Sequence, residues 1–212
     1  GRQEKTLKSS AISIGNQTTY LKADVTDPNQ CKLLIKKIIK QFGQLDILIC
    51  NVGNGSSKIH GKETIDDWKN MFEINFLSSI NILKYSEKYL IKSKGTIVCI
   101  SSIAGIDKSD APLPYSTAKA SINMYVKTAS KYLASHEVRI NAVAPGNIMF
   151  TDSVWDKKMK TNPVQIKSFL KNEVPLKKFG TPDDIGNLVS FLVSPLSSFI
   201  TGQVIIADGG QI

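Results

Sequence analysis

Histidine, cysteine, acidic charge and long apolar runs are all scarce in this sequence, and each scarcity excludes something. The 212 residues hold 2 histidines and 3 cysteines. Cys31, Cys50 and Cys99 show no spacing of the kind that builds a metal centre, so no metal site is expected. Cys50 and Cys99 end apolar runs that read as buried strands, where a thiol serves as a small hydrophobe, and the odd count suits a reducing cytosol. No stretch approaches the roughly 18 apolar residues of a membrane span, and none reads as a signal peptide. Acidic residues number 18 against 27 basic ones, a net charge of +9. The surplus sits on lysines at helical spacing (Lys32, Lys36, Lys37, Lys40) and in a late segment (Lys157, Lys158, Lys160, Lys167, Lys171), and reads as solvated helix faces. Neither a recognition motif nor interleaved aromatics accompanies it, which argues against a nucleic-acid partner.

What is present is alternation. At 42% apolar the chain suits one α/β domain, residues 1–212, with a sizeable core. "TYLKADVTD" reads as a short strand ending at Asp24, and "PNQCKLLIKKIIKQFG" as an amphipathic helix with Pro28 in its first turn and Gly43 just past its end. "LDILICNVG" is a continuous apolar run, as in a parallel strand covered on both faces. Thr64 and Asp67 resemble a capping box, and Trp68, Phe72 and Phe76 recur every four residues after it. "GTIVCISS", a helix from Pro114 to about Ser135, "EVRINAVAPG", the helix "TPDDIGNLVSFLVSP" and the strand "GQVIIADGG" complete the pattern. Residues 151–179 are lysine-rich and weakly periodic, and read as a substrate lid. The expected fold is a doubly wound, Rossmann-like parallel sheet with helices on both faces. Ligands in such sheets bind beyond the carboxyl ends of the strands, which here carry Asp24, Asn51-Val52-Gly53, Ser101-Ser102 and Pro145-Gly146 on one rim.

Within "SSIAGIDKSDAPLPYSTAK", Tyr115 and Lys119 are four residues apart in a helical pattern and share a face. A free phenol titrates near 10. A neighbouring ammonium favours the phenolate, so Lys119 is expected to lower the Tyr115 pKa and make it a general acid or base. A serine hydroxyl on the adjacent strand end can hold a carbonyl oxygen as charge develops there. The set suits ketone reduction or alcohol oxidation, and lacks the histidine and acid of a serine hydrolase.

From about Tyr20 onward the chain resembles the short-chain dehydrogenase/reductase family of the classical type, including its ketoacyl-carrier-protein reductase branch. "YSTAK" is similar to the family's Tyr-x-x-x-Lys, and Ser102 lies thirteen residues before Tyr115, followed by "IAG". Asn75 in "MFEINF" matches the helical asparagine of the family's tetrad, and "DVTD", "NVG", "INAVAPGNI" and "ITGQVIIADGG" follow in the family's order. The resemblance implies an oxidoreductase moving a hydride between NAD(P) and the carbonyl or secondary alcohol of a small polar molecule, a ketoacyl thioester or a sugar-type substrate. Tyr115 would pass the proton, Lys119 would lower its pKa and bind the nicotinamide ribose, Ser102 would hold the substrate carbonyl, and Asn75 would support a water beside Lys119. Asp24 and Val25 would flank the adenine; Asn51, Val52 and Gly53 would line the cofactor, and Pro145, Gly146 and Ile148 would border the nicotinamide. The resemblance also implies a cytoplasmic homotetramer or homodimer assembled through the terminal helix and strand. His60 and Trp155 are minor candidates for substrate contact.

Departures from the family pattern shape three further expectations. No Gly-x-x-x-Gly-x-Gly turn precedes "DVTD", and only some twenty residues precede Asp24, so the fold is expected to be incomplete at its N-terminus. Arg2, with no acid beside it in sequence, leans toward NADP, because an arginine pairs with the 2′-phosphate. Phe150 stands where the family has a threonine, with Thr151 one place later. The rival reading is a non-catalytic scaffold or regulatory subunit that retains the fold; the intact tetrad argues against it, and the lack of the glycine turn argues for it.

Overall fold

The computed structural model describes residues 1–56, 58 and 60–212. Strands β1 (Ile47–Cys50), β2 (Thr96–Ile100), β3 (Arg139–Pro145) and β4 (Val204–Ala207) lie side by side in that order, all parallel. Helices α1 (Glu4–Ile14), α2 (Pro28–Phe42), α3 (Ile65–Phe72), α4 (Ser78–Ser93), α5 (Leu113–Ala134), α6 (Val154–Thr161), α7 (Pro163–Glu173) and α8 (Pro182–Val193) occupy the stretches between and before them. Parallel neighbours need a crossover, and α4, α5 and α8 supply one each.

The inner strands β2 and β3 bury both faces, and their period of two assigns each residue to one. Ile97, Cys99, Ile140 and Ala142 pack under α2, α4 and α5, with Cys31, Ile35, Leu83, Leu90, Ile122 and Val126. Val98 and Val143 point the other way, against Val189 and Leu192 of α8. This is the doubly wound arrangement expected from the apolar runs.

The helix ends follow their local chemistry. Asp27 accepts hydrogen bonds from the Asn29 and Gln30 amides at the start of α2, and Gly43 closes it at φ 79°. Thr64 and Asp67 bond reciprocally as a capping box opening α3, and Thr181 and Asp184 do the same for α8.

Two expectations are corrected, and two features are new. Tyr20–Asp24 is not a strand: it pairs with no strand among the described residues, and its Ala23 N–H bonds the Gly1 carbonyl. Its loop is tied instead by Asn81 of α4, whose Nδ2 donates to the carbonyls of Val25 (3.2 Å) and Thr26 (3.0 Å). β1 is not covered on both faces: it is an outer strand, and Ile47 and Ile49 are 43% and 46% exposed. The first twenty residues contain α1, a helix with no buried residue, which the sequence pattern did not reveal. Residues 151–179 carry the helices α6 and α7, and Trp155 stacks on Phe169 with ring centroids 5.1 Å apart.

Candidate active site

At the carboxyl ends of β1, β2 and β3 the chain leaves a pocket of about 220 Å³. Asn51 and Gly53 border it from β1, Ser101 and Ser102 from β2, and Pro145 and Gly146 from β3. Tyr115 and Lys119 reach in from the first two turns of α5. Pro114 in the first turn of that helix leaves no amide hydrogen to satisfy.

Each polar group here is held by a specific partner. Ser102 caps the short 3₁₀ turn Ile103–Gly105, its Oγ accepting the Ala104 N–H at 3.2 Å. Ser102 faces Tyr115 across the pocket, close enough to favour the phenolate. Lys119 is 4% exposed, and its Nζ donates to the Ile100 carbonyl at 2.8 Å. Its backbone carbonyl accepts from the Ser101 hydroxyl at 3.2 Å, so two bonds of opposite direction fasten α5 to the end of β2.

Asn75 lies in a π-helical turn, Glu73–Leu77, between α3 and α4, and is 1% exposed. Its Oδ1 accepts the Asn54 N–H (2.9 Å) and its Nδ2 donates to the Asn54 carbonyl (3.0 Å) and the Met71 carbonyl (3.1 Å). The wider turn releases the amide from the usual helix crowding and aims it at the pocket wall. A Cβ on Gly53 would lie 2.9 Å from Asn75 Oδ1 and 3.1 Å from Lys119 Nζ, so a side chain there would close the floor of the pocket.

The electrostatics differ from the expectation that Lys119 lowers the Tyr115 pKa. Burial pushes the phenol up, and the Ser102 hydroxyl opposes this only in part. Burial also lowers the Lys119 ammonium to about 8. The nitrogen stands 5.8 Å from the centre of the Tyr115 ring, over its face.

The other predicted residues divide into those at the pocket and those outside it. Asn51, Gly53, Pro145 and Gly146 line the pocket. Val25 and Val52 instead line a neighbouring apolar cleft beside α2, which Asn51 joins to the first. Asp24 accepts from the Thr26 N–H and hydroxyl and pairs with Arg2 at 3.5 Å, so the fold supplies the acid that Arg2 lacks in sequence. Ile148 does not border the pocket: it forms an isolated bridge with Gly180 at the root of the α6–α7 segment. Trp155 packs inside that segment, and His60 is exposed with Nε2 2.8 Å from the Ala111 carbonyl. Phe150 and Thr151 are both exposed.

Sequence reasoning missed Asn54, which shares two hydrogen bonds with Asn75, and the positioning bond of Ser101. The run Asn51–Gly55, polar and glycine-rich beyond a strand, was the available signal for the first.

Comparisons with known proteins complete the description. A family model described as enoyl-(acyl carrier protein) reductase matches residues 1–211. The chain is similar to a curated 3-oxoacyl-[acyl-carrier-protein] reductase of Thermotoga maritima, 32% identical over 190 residues, or 89% of this chain and 75% of the relative. Proteins of the same description from Staphylococcus aureus (31% over 200 residues, 93% of this chain and 78% of the relative) and Chlamydia muridarum (32% over 220 residues, 100% and 85%) are also similar. A solved NADPH-bound short chain oxidoreductase from Pseudomonas aeruginosa PAO1, described as containing an atypical catalytic center, matches with a TM-score of 0.91 and 23% identity, covering 100% of this chain and 84% of that one. At that identity it speaks for the fold.

Proposed function

This chain belongs to the short-chain dehydrogenase/reductase family, and from that premise we propose that it reduces the ketone of a 3-oxoacyl thioester at the expense of NADPH. The observation that carries the reading is the meeting of Ser102, Tyr115 and Lys119 in one pocket, with Asn75 behind them. The curated relatives are 3-oxoacyl-carrier reductases by description, which favours this substrate over a sugar. The same pocket argues against a non-catalytic scaffold, which has no need of a buried lysine.

The groove fits a nicotinamide nucleotide. The exposed backbone of Asn51–Gly53 leads into the pocket, and the missing side chain of Gly53 leaves the Lys119 nitrogen open beneath it. When bound, the nicotinamide supplies the hydride. Tyr115 and Ser102 converge on the position where the ketone oxygen would lie. Ser102 donates to that oxygen as negative charge grows on it, and Tyr115 delivers the proton. A phenol raised by burial is protonated at neutral pH, the state a reductase needs at the start of its cycle. Lys119 holds a positive charge beside the phenol and favours the phenolate left behind. Asn75 holds Asn54, and through it the loop that forms one wall.

Arg2 supports the preference for NADPH. Its pairing with Asp24 is at the surface and so is worth only about 0.2–1 kcal/mol, weak enough for a 2′-phosphate to compete. Residues 151–179 form the lid over the substrate, and the protein assembles as a homodimer or homotetramer.

A second reading, reduction of the double bond of an enoyl thioester, is favoured by the description of the matching family model. The decisive assay presents 3-oxoacyl and 2-enoyl thioesters of equal chain length and follows NADPH absorbance. Turnover of the first and not the second is expected; the reverse would replace the reading, and turnover of neither would refute both. Tyr115→Phe is expected to lower kcat by about 10²–10⁴ without altering the fold, as the loss of a general acid does. Retained activity would remove Tyr115 from its role.

A further inference from the structure

Asn123 is a buried polar residue that the proposed chemistry does not use. It lies one turn beyond Lys119 and two beyond Tyr115, on the same side of α5, and is 8% exposed. Its Nδ2 donates to the Gly105 carbonyl at 3.0 Å, whereas its Oδ1 is buried without a hydrogen-bond partner among the described residues. A buried unmet acceptor is destabilising, so leucine would suit this place better for stability alone. The cost calls for a compensating role.

That role is visible in what the amide holds. Gly105 ends the 3₁₀ turn that Ser102 begins, and the Gly105 N–H bonds the Ser102 carbonyl at 3.0 Å. A chain of hydrogen bonds therefore runs from Asn123 to Gly105 to Ser102. The turn presses directly on α5: a Cβ on Gly105 would lie 2.6 Å from the Lys119 carbonyl carbon and 2.7 Å from the Ala120 nitrogen. Ser102 comes from β2, and Tyr115 comes from α5. Their mutual placement depends on how this turn is pinned to that helix.

We propose that Asn123 is a positioning residue, which clamps the Ser102–Gly105 turn to α5 and so sets the placement of Ser102 against Tyr115. The inference rests on the reading of Ser102 and Tyr115 as the reacting pair. The groups facing the phenol are the Ser102 hydroxyl and the Lys119 ammonium; no carboxylate is among the described residues lining the pocket. Loosening the clamp therefore acts on the phenol through Ser102, since Lys119 keeps its own bond to the Ile100 carbonyl.

The test replaces Asn123 by leucine, which removes both the clamp and the unmet acceptor. Tyr115 is followed by ¹⁹F NMR in protein labelled with 3-fluorotyrosine, its resonance among the 6 tyrosines identified by its loss in Tyr115→Phe. In Asn123→Leu the Tyr115 titration midpoint is expected to rise by about half a unit or more, as the withdrawal of a hydroxyl from the phenolate predicts. The kcat on a 3-oxoacyl thioester is expected to fall about tenfold, with the KM for NADPH unchanged and the melting temperature equal or higher. A folded Asn123→Leu protein with an unmoved midpoint overturns the proposal, even if its stability changes. Gly105→Ala strains the same contact from the turn's side, and decides by the same readout if Asn123→Leu does not fold. Because the midpoint needs no turnover, an inactive wild type would sink the functional reading and still leave this one decided.

Discussion

Lys119 keeps an ammonium in a site only 4% exposed, with the Ile100 carbonyl as its hydrogen-bond partner. Burial brings its pKa from the ordinary 10.5 to about 8, so the folded state gives up this proton before the unfolded chain does. Between those two values the unfolded state binds more protons, and stability must rise with pH. Below about 8 both states are charged, and the full penalty applies, on the order of 3 kcal/mol. Lys119→Met abolishes the titration. The variant is expected to be more stable than wild type at pH 7, by less than that figure because the Ile100 carbonyl loses its partner. Its advantage is expected to shrink as pH climbs from 8 to 10.5. Urea midpoints of both proteins across that range test this; an advantage that does not shrink would mean that the ammonium is not desolvated. Turnover is expected to be lost in the same variant, an exchange of stability for function common in active sites. The spacing of Tyr115 and Lys119 made their neighbourhood legible in the sequence. The direction of the Tyr115 shift was not, because burial is a property of the whole pocket and outweighs one cation beside the ring.

Arg139, at the first position of β3, joins elements that lie far apart in sequence. Its Nη2 donates to the carbonyls of Leu192 (2.9 Å) and Ser194 (3.3 Å) at the end of α8, and to Thr96 Oγ1 (3.1 Å) on β2. Its Nη1 donates to the Ile200 carbonyl at 3.2 Å. A guanidinium at a helix C-terminus satisfies carbonyls that the helix leaves open and opposes its dipole. Arg139→Met is expected to cost about 2–3 kcal/mol, read as a lower urea midpoint with unchanged slope. A loss below about 0.5 kcal/mol would show that water replaces the bonds without penalty. Nothing local in "EVRINAVAPG" marked the arginine as a staple, since its partners come from α8 and from the loop before β4. By contrast, α2, α3 and α8 were readable because Pro28, Gly43 and the two capping boxes act within one turn of where they stand. Tyr20–Asp24 failed as a strand for the complementary reason: strandedness needs a neighbour, and periodicity says nothing about whether one is there.

Among the described residues the sheet has two outer strands, β1 and β4, and their surroundings differ. Apolar residues stand exposed along the segment from α8 to β4: Phe191 at the end of α8, Leu196 and Phe199 in the turns that follow, and Ile206 on the strand are 39%, 83%, 103% and 42% exposed. A phenylalanine as open as Phe199 is costly in a monomer, and the open edge of an outer strand such as β4 invites pairing. A two-fold contact through this side would place each copy's surface against the same surface of the other. The pocket lies at the carboxyl ends of β1, β2 and β3, so the contact would leave its mouth free. Phe199→Asp together with Leu196→Lys is expected to shift the protein to monomer in sedimentation velocity at micromolar concentration, with circular dichroism unchanged. If this were the assembly surface, the shift would also expose α8 and lower the melting temperature in a concentration-independent way, whereas wild-type melting should rise with protein concentration. Wild type sedimenting as a monomer would refute the assembly outright. An oligomer that survives both substitutions would move the contact to another face.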